Sequence, residues 1–308
     1  MVSTSREVRV PVSSTGPDLV LAGAARSGTS SLAAQLGAHP DIDAGKIKES
    51  NYFSREFDRG PDWYESLYAE RRGGLMRLDA STSYTSPQFP KALSRLAEAA
   101  PDVLVIYAVR QPTERALSHY LLRRHYFQNE HAPDFGAALD ESAVYADTSD
   151  YSRWIPALRE TFSDERLLVV PFEVITGDAA AVTAEICGHL GLAPPPDTQA
   201  HGSRHRNHVV QYRNDLARTA GRTLRRSPAY PWLRNLLGAG RTRKFRGLLT
   251  RQAQLPSTDE AMASCDATQL EMLRALDRRA GATVREYLRT QDQRLGLSWA
   301  SASFASQH

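Results

Sequence analysis

Short apolar runs alternate with longer amphipathic stretches over the first two thirds of the chain. The apolar runs are rich in Leu, Val and Ile, which is typical of strands buried on both faces of a sheet. The stretches between them carry apolar residues at helical spacing. The predicted strands are 19–22, 41–44, 75–79, 103–109 and 167–171, and helices are predicted near 30–38, 61–69, 88–99, 112–125, 151–162 and 178–190.

This alternation predicts an α/β fold, a central parallel sheet with helices on both faces. Three consecutive prolines, 194–196, end the alternation, and a basic loop and a largely helical tail follow. We therefore expect a single domain over 1–308, with a core of about 17–210 and a helical, basic C-terminal part over 211–308.

Composition narrows the class of protein. The chain has 308 residues, 41% hydrophobic and 24% charged, as expected of a soluble globular protein. It lacks an apolar stretch of about 20 residues, the length of a membrane span. The polar residues 1–17 contain no signal-peptide core, so a cytoplasmic location is predicted. Cys187 and Cys265 form neither a disulfide framework nor a C-x-x-C metal pair.

Positive charge is concentrated in one segment. The net charge is +3, yet residues 218–251 contain ten Lys or Arg and no Asp or Glu. Such a segment can attract an acidic partner, although solvated helix faces have the same composition.

Residues 23–31, Gly-Ala-Ala-Arg-Ser-Gly-Thr-Ser-Ser, join the first strand to the first helix. The two glycines have the spacing of a P-loop, G-x-x-x-x-G-K-[ST], but Thr29 replaces its Lys and the cation is Arg26. Backbone N–H groups at such a turn bind anions. A P-loop-like fold is therefore predicted, with an anion other than the γ-phosphate of a magnesium nucleotide.

A second segment, 110–120, follows the strand 103–109. Pro112 is suited to a first helical turn, which places Arg110 at the carboxyl end of that strand and Ser118 two turns into the helix. An Arg and a Ser hydroxyl can converge on one phosphate. Arg115 either shares that face or pairs with Glu114 or Glu141.

Together the two segments resemble the cofactor-binding segments of the sulfotransferase family, G-x-x-[KR]-[SA]-G-T-[ST]-x-L and R-x-P-x-x-R-x-x-S-x-Y. Four further segments resemble the branch that contains heparan-sulfate sulfotransferases. They are Lys48–Phe53, Gly60–Tyr64, Leu78–Tyr84 and Val169–Glu173, and the tail around Trp299 resembles the family's closing helix.

The resemblance implies a sulfotransferase that uses 3′-phosphoadenosine 5′-phosphosulfate (PAPS), releases adenosine 3′,5′-bisphosphate (PAP) and requires no metal. The first segment would hold the 5′-phosphosulfate and the second the 3′-phosphate. The implied cofactor-binding residues are Ala25, Arg26, Ser27, Gly28, Thr29, Ser30, Ser31, Arg110, Ser118, Gly202, Arg204 and Arg206, and the implied catalytic residues are Glu49, Arg26 and Lys48.

Glu49 is the expected base, with Lys48 fixing the donor or keeping Glu49 ionised. His119 and His125 are rival bases, although both are expected to face outward from their helix, and Asp79 or His119 is the next candidate if Glu49 is not the base. The histidines at 201, 205 and 208 match closed zinc sites poorly.

The expected partner is a small-molecule, glycoside or carbohydrate acceptor; no nucleic acid or membrane is expected, and the oligomeric state is open. Two alternatives remain. One is a P-loop nucleotide kinase or NTPase with a degenerate loop, which Thr29 disfavours. The other is a nucleic-acid-binding protein that uses residues 218–251, where aromatic residues are interleaved with cations.

Overall fold

The computed structural model describes residues 16–70, 74–195, 210–212, 250–252 and 256–300. Its centre is a five-stranded parallel sheet in the order β2-β3-β1-β4-β5. The strands are β1 (Leu19–Gly23), β2 (Ile42–Asp43), β3 (Met76–Asp79), β4 (Leu104–Val109) and β5 (Leu167–Pro171). The predicted parallel sheet is confirmed.

The order of the strands places β1 between β3 and β4. The chain moves from β1 toward β2 and β3 on one side and continues through β4 and β5 on the other. In open α/β sheets a ligand crevice forms at the carboxyl ends of strands where the order reverses. The loop that follows β1 therefore lies at the position where a ligand is expected.

Helices pack around this sheet, and the apolar faces of most of them form one core with it. A second apolar cluster contains Leu117, Tyr120 and Phe135. The helices that sequence periodicity predicted are α1 (Thr29–Leu36), α2 (Pro61–Glu65), α3 (Ala92–Ala99), α4 (Pro112–Leu121), α7 (Tyr151–Thr161) and α9 (Ala179–His189). The shorter helices α5 (Phe135–Glu141), α6 (Val144–Ser149) and α8 (Phe172–Gly177) were not predicted. A helix of two turns has too few residues to show a period.

The predicted helix 112–125 is α-helical only as far as residue 121. Helix α4 ends at Leu121, and Leu122–Phe127 continue as a π-helical segment that ends at Gln128 with φ 52°. Such widened turns are rare and occur frequently at functional sites.

Two helices form the end of the described chain, α10 (Thr258–Met262) and α11 (Ala267–Leu295). Asp266 and Gln269 form a capping box that starts α11. Asp277 of α11 accepts hydrogen bonds from the backbone N–H and the hydroxyl of Thr113, both at 2.9 Å. The C-terminal helix therefore holds the first turn of α4 in place.

Helix α11 also covers the exposed edge of the sheet at β5. The side-chain amide of Gln291, which is fully buried, accepts from the Val169 N–H at 2.8 Å and donates to the Val169 carbonyl at 3.0 Å. The Tyr287 hydroxyl donates to the Leu167 carbonyl at 3.1 Å. These side chains bond backbone groups of an edge strand that would otherwise lack partners.

A short antiparallel pair is formed by β6 (Val210–Tyr212) and β7 (Thr250–Gln252). Gly202, Arg204 and Arg206 lie outside the described residues, as does the basic segment apart from its last two residues. The single-domain organisation over 1–308 stays a prediction. Within the described part of the chain, no helix is both long and apolar enough to cross a membrane.

Replacing Gln291 with Leu should destabilise the fold, because it leaves the N–H and carbonyl of Val169 buried without partners. We expect the free energy of unfolding to fall by about 1–3 kcal/mol. Urea denaturation measures this change. The control is Gln293→Leu, on the exposed face of the same helix. An equal loss in both variants would contradict the role of Gln291.

Candidate active site

The loop between β1 and α1 has the shape of an anion cradle. A Cβ atom at Gly23 would lie 2.1 Å from Thr85 Oγ1, so glycine is required at this close approach. Gly28 caps α1 at φ 83°, and Arg26 has φ 75°, a conformation that non-glycine residues adopt rarely. No side chain caps α1. Its first N–H groups are therefore available to an anion.

Arg26 supplies a positive charge to this cradle. Its Nε donates to Ser118 Oγ at 3.0 Å, which joins the two predicted cofactor-binding segments. Burial, together with the positive charges of Arg110 and Arg115, lowers the pKa of Arg26 to about 10, so it stays protonated at neutral pH. It forms no ion pair with any described carboxylate. A half-buried cation among other cations favours a bound anion.

Arg115 lies beneath the same loop and is fully buried. Its guanidinium donates to the Ala25 carbonyl at 3.1 Å, the Tyr145 carbonyl at 2.7 Å and Ser149 Oγ at 2.6 Å. Arg115 and Ser118 both reach the loop, at Ala25 and Arg26, as one of the two predicted alternatives has it. The other alternative, that Arg115 pairs with Glu114 or Glu141, is wrong. Its side chain points inward, where these oxygens replace a carboxylate partner, and burial lowers its pKa.

Arg110 lies at the carboxyl end of β4, as predicted. Its Nη2 donates to Glu114 at 2.9 Å, and its guanidinium lies 4.6 Å from the centre of the Phe172 ring. The Glu114 carboxylate is half exposed, and such i,i+4 pairs contribute little to stability. Arg110 can therefore exchange Glu114 for a ligand phosphate at small cost.

Asp79, a rival base, is fully buried and bonded to four hydroxyls. It accepts from Ser50 at 2.7 Å, Tyr84 at 2.6 Å and Tyr64 at 3.1 Å, and also from Ser81. Burial raises its pKa although these hydrogen bonds act in the opposite direction. Asp79 anchors the segment that contains Lys48 and Glu49 and is not accessible to an acceptor.

Glu49 and Lys48 lie at the surface of this anchored segment. Lys48 Nζ and Glu49 Oε1 are 2.7 Å apart, and both side chains are about two-fifths exposed. Of the two, Glu49 lines the cavity described next. Lys48 is placed to neutralise that carboxylate while leaving its second oxygen free.

A cavity of about 790 Å³ brings the loop and Glu49 together. Its lining comes from the anion cradle, from 49–55, from 82–88, from the segment after α4 and from α6. The lining residues are Ala25, Arg26, Thr29, Ser30, Glu49, Asn51, Arg55, Thr82, Ser83, Ser86, Gln88, His119, Leu122, Arg123, Tyr126, Phe127, Asn129, Val144 and Thr148. A cation and a carboxylate therefore face one space, which suits transfer of an anionic group to a nucleophile.

His119 also lines this cavity, so the prediction that it faces outward is wrong. Its ring packs edge-on against Tyr145 at 5.3 Å. Burial, and then the charges of Arg115, Arg123 and Arg26, hold its pKa well below the usual value. A histidine of low pKa is a weak base, which favours Glu49 for proton removal.

The remaining predicted cofactor-binding residues differ in how far they are buried. Ser27 is buried, Gly28 packs under Phe172 and Ile175, and Ser31 is half-buried on α1. Sequence reasoning missed Arg55, Thr148 and the lining residues of the segment after α4, because no motif spacing marks them. These last are Leu122, Arg123, Tyr126, Phe127 and Asn129. Among the described residues no group of three or more His, Cys, Asp or Glu is arranged to hold a metal ion.

Comparisons with known proteins agree with this geometry. The family described as "Sulfotransferase family" matches residues 50–196. A crystal structure of a sulfotransferase from Alicyclobacillus acidocaldarius is similar at a TM-score of 0.53 and 26% identity, covering 60% of this chain and 85% of that one. Residues 50–196, a little less than half of the chain, are thus similar to the sulfotransferase family.

Curated proteins similar to this chain include two heparan sulfate enzymes. Human heparan sulfate glucosamine 3-O-sulfotransferase 3B1 is 26% identical over 183 residues, which is 57% of this chain and 46% of that protein. Mouse heparan sulfate glucosamine 3-O-sulfotransferase 6 is 34% identical over 104 residues, 34% of this chain and 30% of that protein. The chain thus spans less than half the length of these relatives.

Because the pKa of His119 is lowered in the folded state, protonation of His119 should favour unfolding. Its stability contribution is fully present above its ordinary pKa of about 6.5 and is lost as pH falls below that value, by at most about 1.4 kcal/mol per pH unit. Urea denaturation at pH 7.5 and pH 5 measures this effect. The free energy of unfolding should fall less between the two pH values for His119→Asn than for the unchanged protein.

The control for this prediction is His131→Asn, since His131 is exposed. It should keep the pH dependence of the unchanged protein. Identical pH dependence in the His119 variant would mean that the imidazole is not held neutral by its surroundings.

Proposed function

We propose that the protein transfers the sulfuryl group of PAPS to a hydroxyl or amine of a small-molecule, glycoside or carbohydrate acceptor. The observation that carries this proposal is the cavity shared by Arg26, which has no carboxylate partner among the described residues, and Glu49. The first supplies an anion site and the second a base. The similarity of residues 50–196 to the sulfotransferase family supports the same reaction.

The donor would lie along the anion cradle. PAPS supplies an activated sulfuryl group on a phosphate that leaves as an anion. The N–H groups of Thr29 and Ser30 at the start of α1, with the guanidinium of Arg26, would stabilise that developing charge. Arg110 and Ser118, at the far side of the same loop, would hold the 3′-phosphate. With Ala25, Ser27, Gly28 and Ser31 they form the proposed nucleotide site, and Gly202, Arg204 and Arg206 stay predictions.

The acceptor would lie at the Glu49 end of the cavity. Glu49 would remove the proton of the attacking hydroxyl or amine, and Lys48 would orient its carboxylate through the 2.7 Å contact. Arg26 remains charged at neutral pH and would act as an electrostatic group, not as a proton donor. No metal is needed for these steps, because protein cations and N–H groups surround the leaving phosphate.

The names of the curated relatives suggest a carbohydrate acceptor. Those proteins act, by their names, on glucosamine in heparan sulfate. We extend this to a carbohydrate or glycoside acceptor for this protein, in a cytoplasmic location. A nucleotide kinase is disfavoured because Thr29 stands where a magnesium-nucleotide loop needs Lys. Nucleic-acid binding is disfavoured because it would depend on the basic segment 218–251 alone.

PAP should bind without added metal, because every contact proposed for it comes from protein groups. At a concentration of about 100 Kd, the bisphosphate should add about 2.7 kcal/mol to the free energy of unfolding. Arg110→Ala and Ser118→Ala should weaken PAP binding and leave binding of adenosine 5′-phosphosulfate, which lacks the 3′-phosphate, almost unchanged. Isothermal calorimetry with EDTA present measures both.

If ATP with magnesium raised the free energy of unfolding and PAP did not, the assignment of PAPS as the donor would be contradicted. Equal losses for both nucleotides in the Arg110 and Ser118 variants would mean that these residues support the fold and do not hold the 3′-phosphate.

Glu49→Gln should reduce turnover by about 10²–10⁴-fold and leave PAP affinity unchanged, because Gln keeps the size of the side chain and loses its basicity. Arg26→Ala should reduce both turnover and PAP affinity, since the Arg26 side chain would contact the leaving phosphate before and during transfer. Steady-state kinetics and PAP calorimetry separate the two effects.

Glu56→Gln is the matched control, an acidic residue of the same region that pairs with Arg59 at 3.7 Å and does not line the cavity. It should behave as the unchanged protein. If Glu49→Gln kept full turnover, another group would be the base.

A further inference from the structure

The cavity has two chemically different sides. All lining residues associated with the β3 side are polar, whereas four of the eight that follow β4 are apolar or aromatic. Because β3 and β4 flank β1, these two sets lie on either side of the anion cradle. The polar side contributes Glu49, Asn51, Thr82, Ser83 and Ser86, and the apolar side contributes Leu122, Tyr126, Phe127 and Val144.

Phe127 is the most exposed part of the apolar side. Half of its surface is accessible, and Ile47 is the other large apolar residue exposed among the described residues. The Tyr126 and Phe127 rings pack edge-to-face with centres 5.1 Å apart. Both belong to the π-helical segment Leu122–Phe127, whose geometry departs from that of α4. An aromatic pair at a cavity mouth offers a flat apolar ligand a stacking surface.

Thr148 adds one polar atom to this side. It is 2% exposed, its Oγ1 has no hydrogen-bond partner among the described residues, and it lines the cavity one helical turn after Val144. A buried hydroxyl without a partner is uncommon and costs free energy unless a ligand satisfies it. An occupant of this side therefore carries a polar atom beside its apolar surface.

The charges on the described lining do not suit a polyanionic acceptor. Arg26 is committed to the donor phosphate. Arg123 lies 3.9 Å from the Glu130 carboxylate and 5.6 Å from the centre of the Tyr145 ring. Arg55 lies 5.3 Å from the centre of the Phe89 ring. A sulfated polysaccharide would need several uncommitted cations, whereas a neutral ligand needs none.

We propose that the Phe127 side of the cavity binds the aromatic group of a neutral aryl glycoside, whose sugar hydroxyls face the polar side and Glu49. This inference rests on the proposed sulfotransferase function. In the transfer, the sugar oxygen forms a bond to sulfur and the bond from sulfur to the bridging phosphate oxygen breaks. PAP leaves with that electron pair, and Glu49 takes the hydroxyl proton.

Calorimetry of acceptor binding to the protein saturated with PAP tests the proposal. The probes are phenyl β-glucoside and methyl β-glucoside, which share the sugar and differ in the ring. We expect phenyl β-glucoside to bind about 10-fold more tightly to the unchanged protein, a difference typical of burying an aromatic group against a stacking partner. Phe127→Ala should abolish this preference, and Phe127→Leu, which keeps an apolar surface without a ring, should retain part of it.

Two controls accompany these variants. Ile47→Ala removes the other exposed apolar side chain, which does not line the cavity, and should keep the preference for the phenyl compound. PAP affinity should be equal in all variants, which shows that the donor site is intact. Steady-state kinetics should show the same loss, as a higher KM for the phenyl compound in Phe127→Ala.

Three results would overturn the proposal. They are equal binding of the two glucosides, no binding of either one in the presence of PAP, or tighter binding of a heparin oligosaccharide than of phenyl β-glucoside. Absence of PAP binding by the unchanged protein would instead contradict the proposed function itself.

Discussion

A fully buried guanidinium, that of Arg115, joins the parts on which the candidate site depends. It connects the anion cradle at Ala25, the helix that carries Ser118, and the carboxyl end of α6 around Ser149. A buried charge without partners is expensive, so the three oxygens around it must be held in place for the fold to form. The same charge contributes to the positive potential beneath the cradle, where a donor phosphate would lie. One interaction thus serves both packing and electrostatics.

Asp79 has the corresponding role on the other side of the cradle. Four hydroxyls converge on its buried carboxylate and tie β3, α2 and the Thr82–Thr85 turn to the segment before Asn51. Glu49 belongs to that segment but remains partly exposed. Asp79 therefore has a structural role, because hydrogen bonds saturate its carboxylate. Glu49 is open to the cavity and can act on an acceptor. An acceptor-binding site between two anchored walls is pre-organised and needs little rearrangement to bind.

Much of the fold could be predicted because the sheet is parallel and buried on both faces. Such strands are nearly continuous apolar runs, as in residues 104–109, and short glycine turns such as 23–28 mark where they end. The positions of Arg110 and Ser118 followed from Pro112 and helical spacing. Helices α5, α6 and α8 could not be predicted, because two turns carry little periodicity. The π-helical turns after Leu121 carry no spacing signal that separates them from a continued helix.

The sequence by itself determined the succession of the strands and longer helices along the chain, the anion-binding loop with Arg26 in place of Lys, and the resemblance that points to sulfuryl transfer. Each of these features depends on residues that are close together in the chain, so it can be recognised from the sequence. Only the tertiary structure decided that Arg115 turns inward, that Asp79 is closed to an acceptor, that His119 faces the cavity, and that Phe127 and Glu49 line the same cavity. Each of these depends on which oxygens, rings or charges the fold brings from distant segments, and the free energy of burying a charged or polar group is set by those neighbours.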